Sequence, residues 1–219
     1  SSRYREFPDS ACDMFSSNVA MTHALLEYAR VAGAKTFVYS STGGVYERSA
    51  GKLHEHDLMR PGDFYAASKL ASEALVKPYE QFYKTAVLRL FFLYGPGQKN
   101  RLIPILVDRI SNGQSIELSD KKDGLLITPT YVDDVAKVVH RAAENGWNGT
   151  FNVASPEVLS MRKIATIIGE AVGKKVEFKQ LENDSTGNLV PDLENLSKHY
   201  DLDDFLSFEK GLEISLDQS

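Results

Sequence analysis

An apolar strand over Thr36 to Tyr39 runs into the turn Ser40-Ser41-Thr42-Gly43-Gly44, a helix follows from Tyr65 to about Val76, and a second apolar strand spans Ala86 to Tyr94 before Gly95-Pro96-Gly97. This order of strand, helix and strand constrains the fold more than any other feature of the chain. The alternation continues to the end of the sequence, which favours a parallel α/β sheet. Asn18 to Arg30 is expected to be a helix with Val19, Leu25, Leu26 and Ala29 on its apolar stripe, stopped by Gly33. Pro78 is expected to end or kink the second helix. Asp133 is expected to cap a helix through Ala143, with Asp134 facing solvent, and Ser160 to cap another that Gly173 closes. The expected first domain is 1–94 with 130–143 returning to it, and 95–129 with 144–219 are expected to form a smaller, mixed α/β domain.

With 219 residues, 42% of them hydrophobic and 25% charged, the chain can bury a substantial core as one or two domains. A net charge of -5 without a basic cluster argues against nucleic-acid binding as the main role. Cys12 is the only cysteine and cannot form an internal disulfide. No apolar run reaches membrane-spanning length, so no membrane partner is expected and the cytoplasm is the default compartment. The chain opens Ser1-Ser2-Arg3 without a Met, which reads as a boundary made by processing or cloning.

The helix carries the chemistry. Tyr65 and Lys69 in Phe64-Tyr65-Ala66-Ala67-Ser68-Lys69 are four residues apart, so they lie one above the other on one face. A neighbouring cation favours the ionised form of a phenol by about 1 to 3 units from its usual value near 10, so Tyr65 is a candidate general base. A hydroxyl from Thr42 or Ser41 can hold the substrate oxygen whose proton Tyr65 takes. Other polar groups have plainer readings. His54-Glu55-His56 has the look of a metal pair but reads as a solvated loop, and no metal is expected. Glu194, Asp201, Asp203 and Asp204 read as an exposed acidic face. Tyr46 sits on a turn with no Lys four residues on.

Several stretches, in this order and spacing, carry a family likeness. They are Asn18-Val19-Ala20-Met21-Thr22, Phe37 to Tyr46, Tyr65 to Lys69, Leu88-Arg89-Leu90-Phe91 with Tyr94-Gly95-Pro96-Gly97-Gln98, Tyr131-Val132-Asp133-Asp134-Val135, and Phe151-Asn152-Val153. The chain resembles an extended short-chain dehydrogenase/reductase of the NAD-dependent epimerase/dehydratase type, typified by UDP-galactose 4-epimerase. That resemblance implies a Rossmann-type doubly wound parallel sheet, here only its second half, beside the substrate domain. It implies hydride transfer to NAD or NADP coupled to proton transfer, with Thr42, Tyr65 and Lys69, and with Ser41 beside them, as the catalytic group. Asn18, Ser40, Tyr65, Lys69 and Phe91 are the implied cofactor contacts, and the implied substrate is a carbohydrate or nucleotide sugar.

Departures from the family narrow the reading. The sequence contains no Gly-x-x-Gly-x-x-Gly turn to open a helix under the dinucleotide pyrophosphate, so NAD binding by this chain alone is in question. Dehydratases of the family carry Asp-Glu after the catalytic Thr, where this chain has Gly43-Gly44, which argues against a dehydratase. Phe92 stands where nucleotide-sugar epimerases have Asn, and Ile127 where they have the Arg that binds the diphosphate in a bidentate fashion; Lys99 or Arg101 are the substitutes at hand. A non-catalytic remnant or dimerisation module is the alternative to an enzyme. The strands that would pair beside Thr36 to Ser40 are absent from the sequence, so an open sheet edge is expected, covered by a second copy or another polypeptide.

Overall fold

The computed structural model describes residues 6–119, 123–181 and 187–218. Ser1 to Arg3 lie outside them. The chain divides into two compact units, one of residues 1–47, 54–90 and 137–153, the other of 48–53, 91–136 and 154–219.

The first unit holds a three-stranded parallel sheet made of β1 (Thr36–Thr42), β2 (Lys84–Leu90) and β7 (Gly149–Val153), in the order β1-β2-β7. Among the described residues β1 pairs with β2 alone, so its other side is an open edge. Helix α1 (Ala11–Phe15) leads through a π-helical turn, Ser16–Ala20, into α2 (Met21–Val31), and Gly33 ends the run with φ 67°. A left-handed residue just past a helix is where glycine fits without a Cβ penalty. Leu26 and Ala29 are buried as expected, but Leu25 is 48% exposed. Thr22, Leu26 and Ala29, at i, i+4 and i+7, make the buried stripe of α2, and Leu25 falls at its rim. Leu26, Ala29, Tyr39, Val76, Tyr83 and Val87 form the core of this unit. Burying one such Leu contributes about 1.5–3 kcal/mol.

Helix α3 (Phe64–Val76) begins at Asp63, whose carboxylate accepts from Ala66 N at 2.7 Å. Pro78 ends the α-helix as expected: α3 stops at Val76 and the chain goes on as a 3-10 segment over Lys77–Gln81, with the proline near its start.

In the second unit the predicted strand from Ala86 to Tyr94 is interrupted. After β2 ends at Leu90, Phe92 adopts φ 43°, and Leu93–Tyr94 resumes as β3. A bulky side chain in the left-handed region breaks the pleat, which is why one run of apolar residues makes two strands. β3 pairs in parallel with β6 (Thr130–Tyr131). Around them lie α4 (Leu102–Ser111), β4 (Ile116–Leu118) paired with β9 (Phe178–Gln180), and β5 (Leu126–Ile127) paired antiparallel with β8 (Leu159–Ser160). Helix α5 (Val132–Glu144) starts in this unit, and α6 (Met161–Ala171), α7 (Glu194–Ser197) and α8 (Phe208–Asp217) follow. Ser160 caps α6 by accepting from Lys163 N at 3.2 Å, and Gly173 with φ 66° follows the helix. The core gathers α4, α6 and α8 around Tyr94, whose ring meets Phe208 at 5.3 Å and Tyr131 at 5.7 Å. Ile127 is fully buried there.

Two expectations about acidic residues need correcting. Asp133 lies inside the first turn of α5 rather than before it. Asp134, expected in solvent, is fully buried and accepts from Leu206 N at 2.8 Å. A buried carboxylate of this kind satisfies a backbone donor that would otherwise lack a partner. Among the described residues no helix is long and apolar enough to cross a membrane.

Candidate active site

Helix α3 sets the site against β1. Lys69 is half-buried, donates from Nζ to Ser40 O at 2.7 Å, and lies 4.9 Å from the centre of the Tyr39 ring. Burial pushes its pKa down, and the Glu73 carboxylate opposes that fall. An ammonium has three donors, so the bond to Ser40 leaves capacity for a ligand hydroxyl. Tyr65, one turn earlier on α3, is partly buried, and its carbonyl accepts from Ser68 Oγ at 2.7 Å.

Asn18 reaches α3 from the π-helical turn. It is 4% exposed, donates from Nδ2 to Ser68 Oγ at 2.8 Å, and its carbonyl accepts from Thr22 Oγ1 at 2.6 Å and Ser72 Oγ at 2.7 Å. Asn18, Ser68 and the Tyr65 carbonyl therefore form one relay. π turns inside helices occur often at functional positions.

The two hydroxyl candidates at the end of β1 are placed differently. Ser41 is 3% exposed and donates to the Glu73 carboxylate. Thr42 is partly exposed; its Oγ1 accepts from Gly44 N at 3.2 Å, and among the described residues its own proton is committed to no acceptor. Ser40 contributes its carbonyl. Phe91 is 2% exposed and belongs to the second unit, where Phe92, Tyr94 and Ile127 also lie.

Sequence reasoning missed a buried polar row across the sheet. Ser41 is in register with Arg89, and Arg89 with Asn152, so in parallel strands the three share one face. Arg89 is 3% exposed and grips Glu73 of α3 with Nε at 3.1 Å and Nη2 at 2.7 Å. Its Nη1 donates to Tyr46 OH at 2.6 Å and to Glu55 O at 2.8 Å, and Tyr46 in turn donates to Asn152 Oδ1 at 2.7 Å. Glu55 also accepts from Asn152 N at 2.9 Å, so the loop of His54 and His56 docks on β7 through its glutamate. Burial pushes the Tyr46 phenol up to about 12 despite the arginine beside it. One signal in the sequence pointed here: an arginine inside an otherwise apolar strand is almost never buried without a partner.

The donor set fits the ribose and nicotinamide end of a dinucleotide. Lys69 offers spare N–H donors to ribose hydroxyls, and Thr42 offers an uncommitted O–H close in sequence to the Lys69 anchor at Ser40.

Residues 2–154 match the NAD dependent epimerase/dehydratase family. The chain is 30% identical over 210 residues to the low-salt glycan biosynthesis protein of Haloferax volcanii, covering 92% of this chain and 67% of that protein. It is 27% identical over 212 residues to an uncharacterized UDP-glucose epimerase of Bacillus subtilis, covering 89% and 64%. The chain thus spans about two thirds of these relatives' length, and 45% of UDP-glucuronate 4-epimerase 6 of Arabidopsis thaliana. Among solved structures, the UDP-glucose 4-epimerase of Thermus thermophilus in complex with NAD superposes with a TM-score of 0.77 at 26% identity, covering 93% of this chain and 70% of that one. With a doubly wound fold of the same kind and a family match over more than half its length, the chain belongs to the NAD-dependent epimerase/dehydratase family.

Proposed function

We propose that this chain supplies the proton-transfer site and substrate lobe of an NAD-dependent nucleotide-sugar epimerase or a related reductase. One observation carries the reading: Lys69 of α3, one turn from Tyr65, is held against the strand that ends in Thr42. The bound nicotinamide, as NAD or NADP, would accept and return a hydride at the sugar carbon. This chain's residues do the rest. Tyr65, its phenolate favoured by the Lys69 cation, takes the hydroxyl proton as the C–O–H group becomes a ketone. Thr42 donates to that oxygen and holds it in place. Lys69 and Asn18 hold the ribose and the nicotinamide end, Ser40 anchors Lys69 through its carbonyl, and Ser41 fixes the strand behind. Reversal of the same proton transfer after the ketone turns over gives the epimer.

Gly43 and Gly44 offer no acid or base for eliminating water, so epimerisation or reduction is favoured over dehydration. With Ile127 buried and Phe92 standing where nucleotide-sugar epimerases have Asn, the diphosphate contacts fall to Lys99 or Arg101. The open edge of β1 and the exposed Leu25, Tyr28 and Val31 of α2 are where a second copy or another polypeptide would cover the first unit. A Tyr65→Phe variant tests the reading with UDP-glucose and added NAD: turnover should vanish while the circular dichroism spectrum is unchanged. Full activity in that variant refutes the role of Tyr65. No turnover by the wild type at saturating NAD favours the non-catalytic alternative.

A further inference from the structure

Tyr65, Lys69 and Glu73 recur every four residues along one face of α3. Only the first two belong to the proton-transfer reading. The third is 9% exposed, and its carboxylate receives the Ser41 hydroxyl from β1 and the Arg89 guanidinium from β2. Ser41 directly follows Ser40, whose carbonyl receives the Lys69 ammonium. Helix α3 is thus fastened to consecutive residues of β1 through two side chains one helical turn apart. Sliding or rotation of the helix that moves Lys69 breaks both ties.

We propose that Glu73 is a positioning residue for Lys69: clamped by Ser41 and Arg89, it fixes the turn that presents the ammonium to β1 and supplies a counter-charge on the same helical face. The inference rests on Lys69 serving Tyr65, and it adds the group that keeps Lys69 able to do so. The groups facing Lys69 are Tyr39 of β1 and Tyr65 and Glu73 of α3, with Arg89 behind Glu73. Glu73 is the single carboxylate among them. Burial acts against the charged amine, and Glu73 opposes it. If Glu73 were only the partner of a buried arginine, removing it would harm folding and leave Lys69 titrating as before.

The test is residue-specific. Lysines of the intact chain are labelled by reductive 13C-methylation, the Lys69 resonance is assigned with a Lys69→Arg variant, and its titration is followed by NMR. The Glu73→Gln variant should move the Lys69 titration to lower pH, and Glu73→Asp, which keeps a carboxylate beside Arg89, should move it back toward the wild type. If Glu73→Gln fails to fold by circular dichroism, the paired Glu73→Met and Arg89→Met variant strands no ion and should show a downward shift, smaller because the Arg89 charge is removed with the carboxylate. A Lys69 titration that coincides with the wild type in the folded variant overturns the proposal. Because no substrate or cofactor enters this measurement, such a result leaves the epimerase reading standing. A downward shift in Glu73→Gln, with a wild-type protein that never turns over, overturns that reading and leaves the role of Glu73 intact.

Discussion

Replacing Arg89 by Met should destabilise the protein far more than removing any surface charge. The Arg89 and Glu73 side chains are 4% and 9% exposed, and the guanidinium also serves Tyr46 and the Glu55 carbonyl. Without it, the Glu73 carboxylate keeps a donor in Ser41, while the buried Tyr46 hydroxyl and the partly buried Glu55 carbonyl each lose one. Breaking a buried pair by removing one partner costs about 3–5 kcal/mol. The Arg60–Glu47 pair is the internal control: its N···O distance is 3.0 Å, but its side chains are 75% and 43% exposed. An exposed pair is worth about 0–1 kcal/mol, since water and salt screen it. Urea unfolding followed by the fluorescence of Trp147 measures both variants. Arg89→Met should lose about 3–5 kcal/mol and Arg60→Met less than about 1 kcal/mol. The paired Glu73→Met and Arg89→Met variant should recover most of the loss, because it leaves no buried ion unpaired. Equal losses for Arg89→Met and Arg60→Met would refute the argument that the polar row is desolvated.

Two further outcomes follow from the packing and the phenols. Gly211→Ala on α8 should destabilise by about 1–3 kcal/mol by overpacking, although alanine is favoured over glycine in a helix by about 1 kcal/mol. A Cβ there would stand 2.2 Å from the Tyr94 hydroxyl oxygen, and Tyr94 is wedged between Tyr131 and Phe208, so a stabilised variant in urea would contradict the packing described. Burial pushes the phenols of Tyr39, Tyr46 and Tyr83 up to about 12. A raised folded value means that this stability is complete below the unfolded value near 10 and is lost as pH rises from about 10 to 12. Absorbance titration should show these tyrosines ionising late and together with unfolding; ionisation near 10 in a protein that stays folded would contradict it.

What could be read from residues alone was local. Tyr65 and Lys69 stand in one helical turn, Ser160 and Gly173 punctuate α6, and Thr42 ends a strand; each rests on neighbours within a few positions. What was missed depends on register or phase. Leu25 was counted on the apolar stripe of α2 but falls at the rim of the face that Thr22, Leu26 and Ala29 make. Phe92 divides an apolar run that has a uniform strand pattern, because a single left-handed residue changes no hydropathy. The row of Ser41, Arg89 and Asn152 comes from strands distant in sequence, and it exists only once the parallel register is set. Asp134 was assigned to solvent because its partner, Leu206 N, lies 72 residues away.

The central claim is that Thr42, Tyr65 and Lys69 remove a sugar hydroxyl proton in step with hydride transfer to a nicotinamide. The most direct measurement is nicotinamide fluorescence on mixing the protein, with NAD in excess, with UDP-glucose. Because the hydride is returned to the sugar, reduced nicotinamide should appear as a transient in a single turnover of the wild type and fail to appear with Tyr65→Phe. Equal signals from the two proteins, or none from the wild type, would contradict the account.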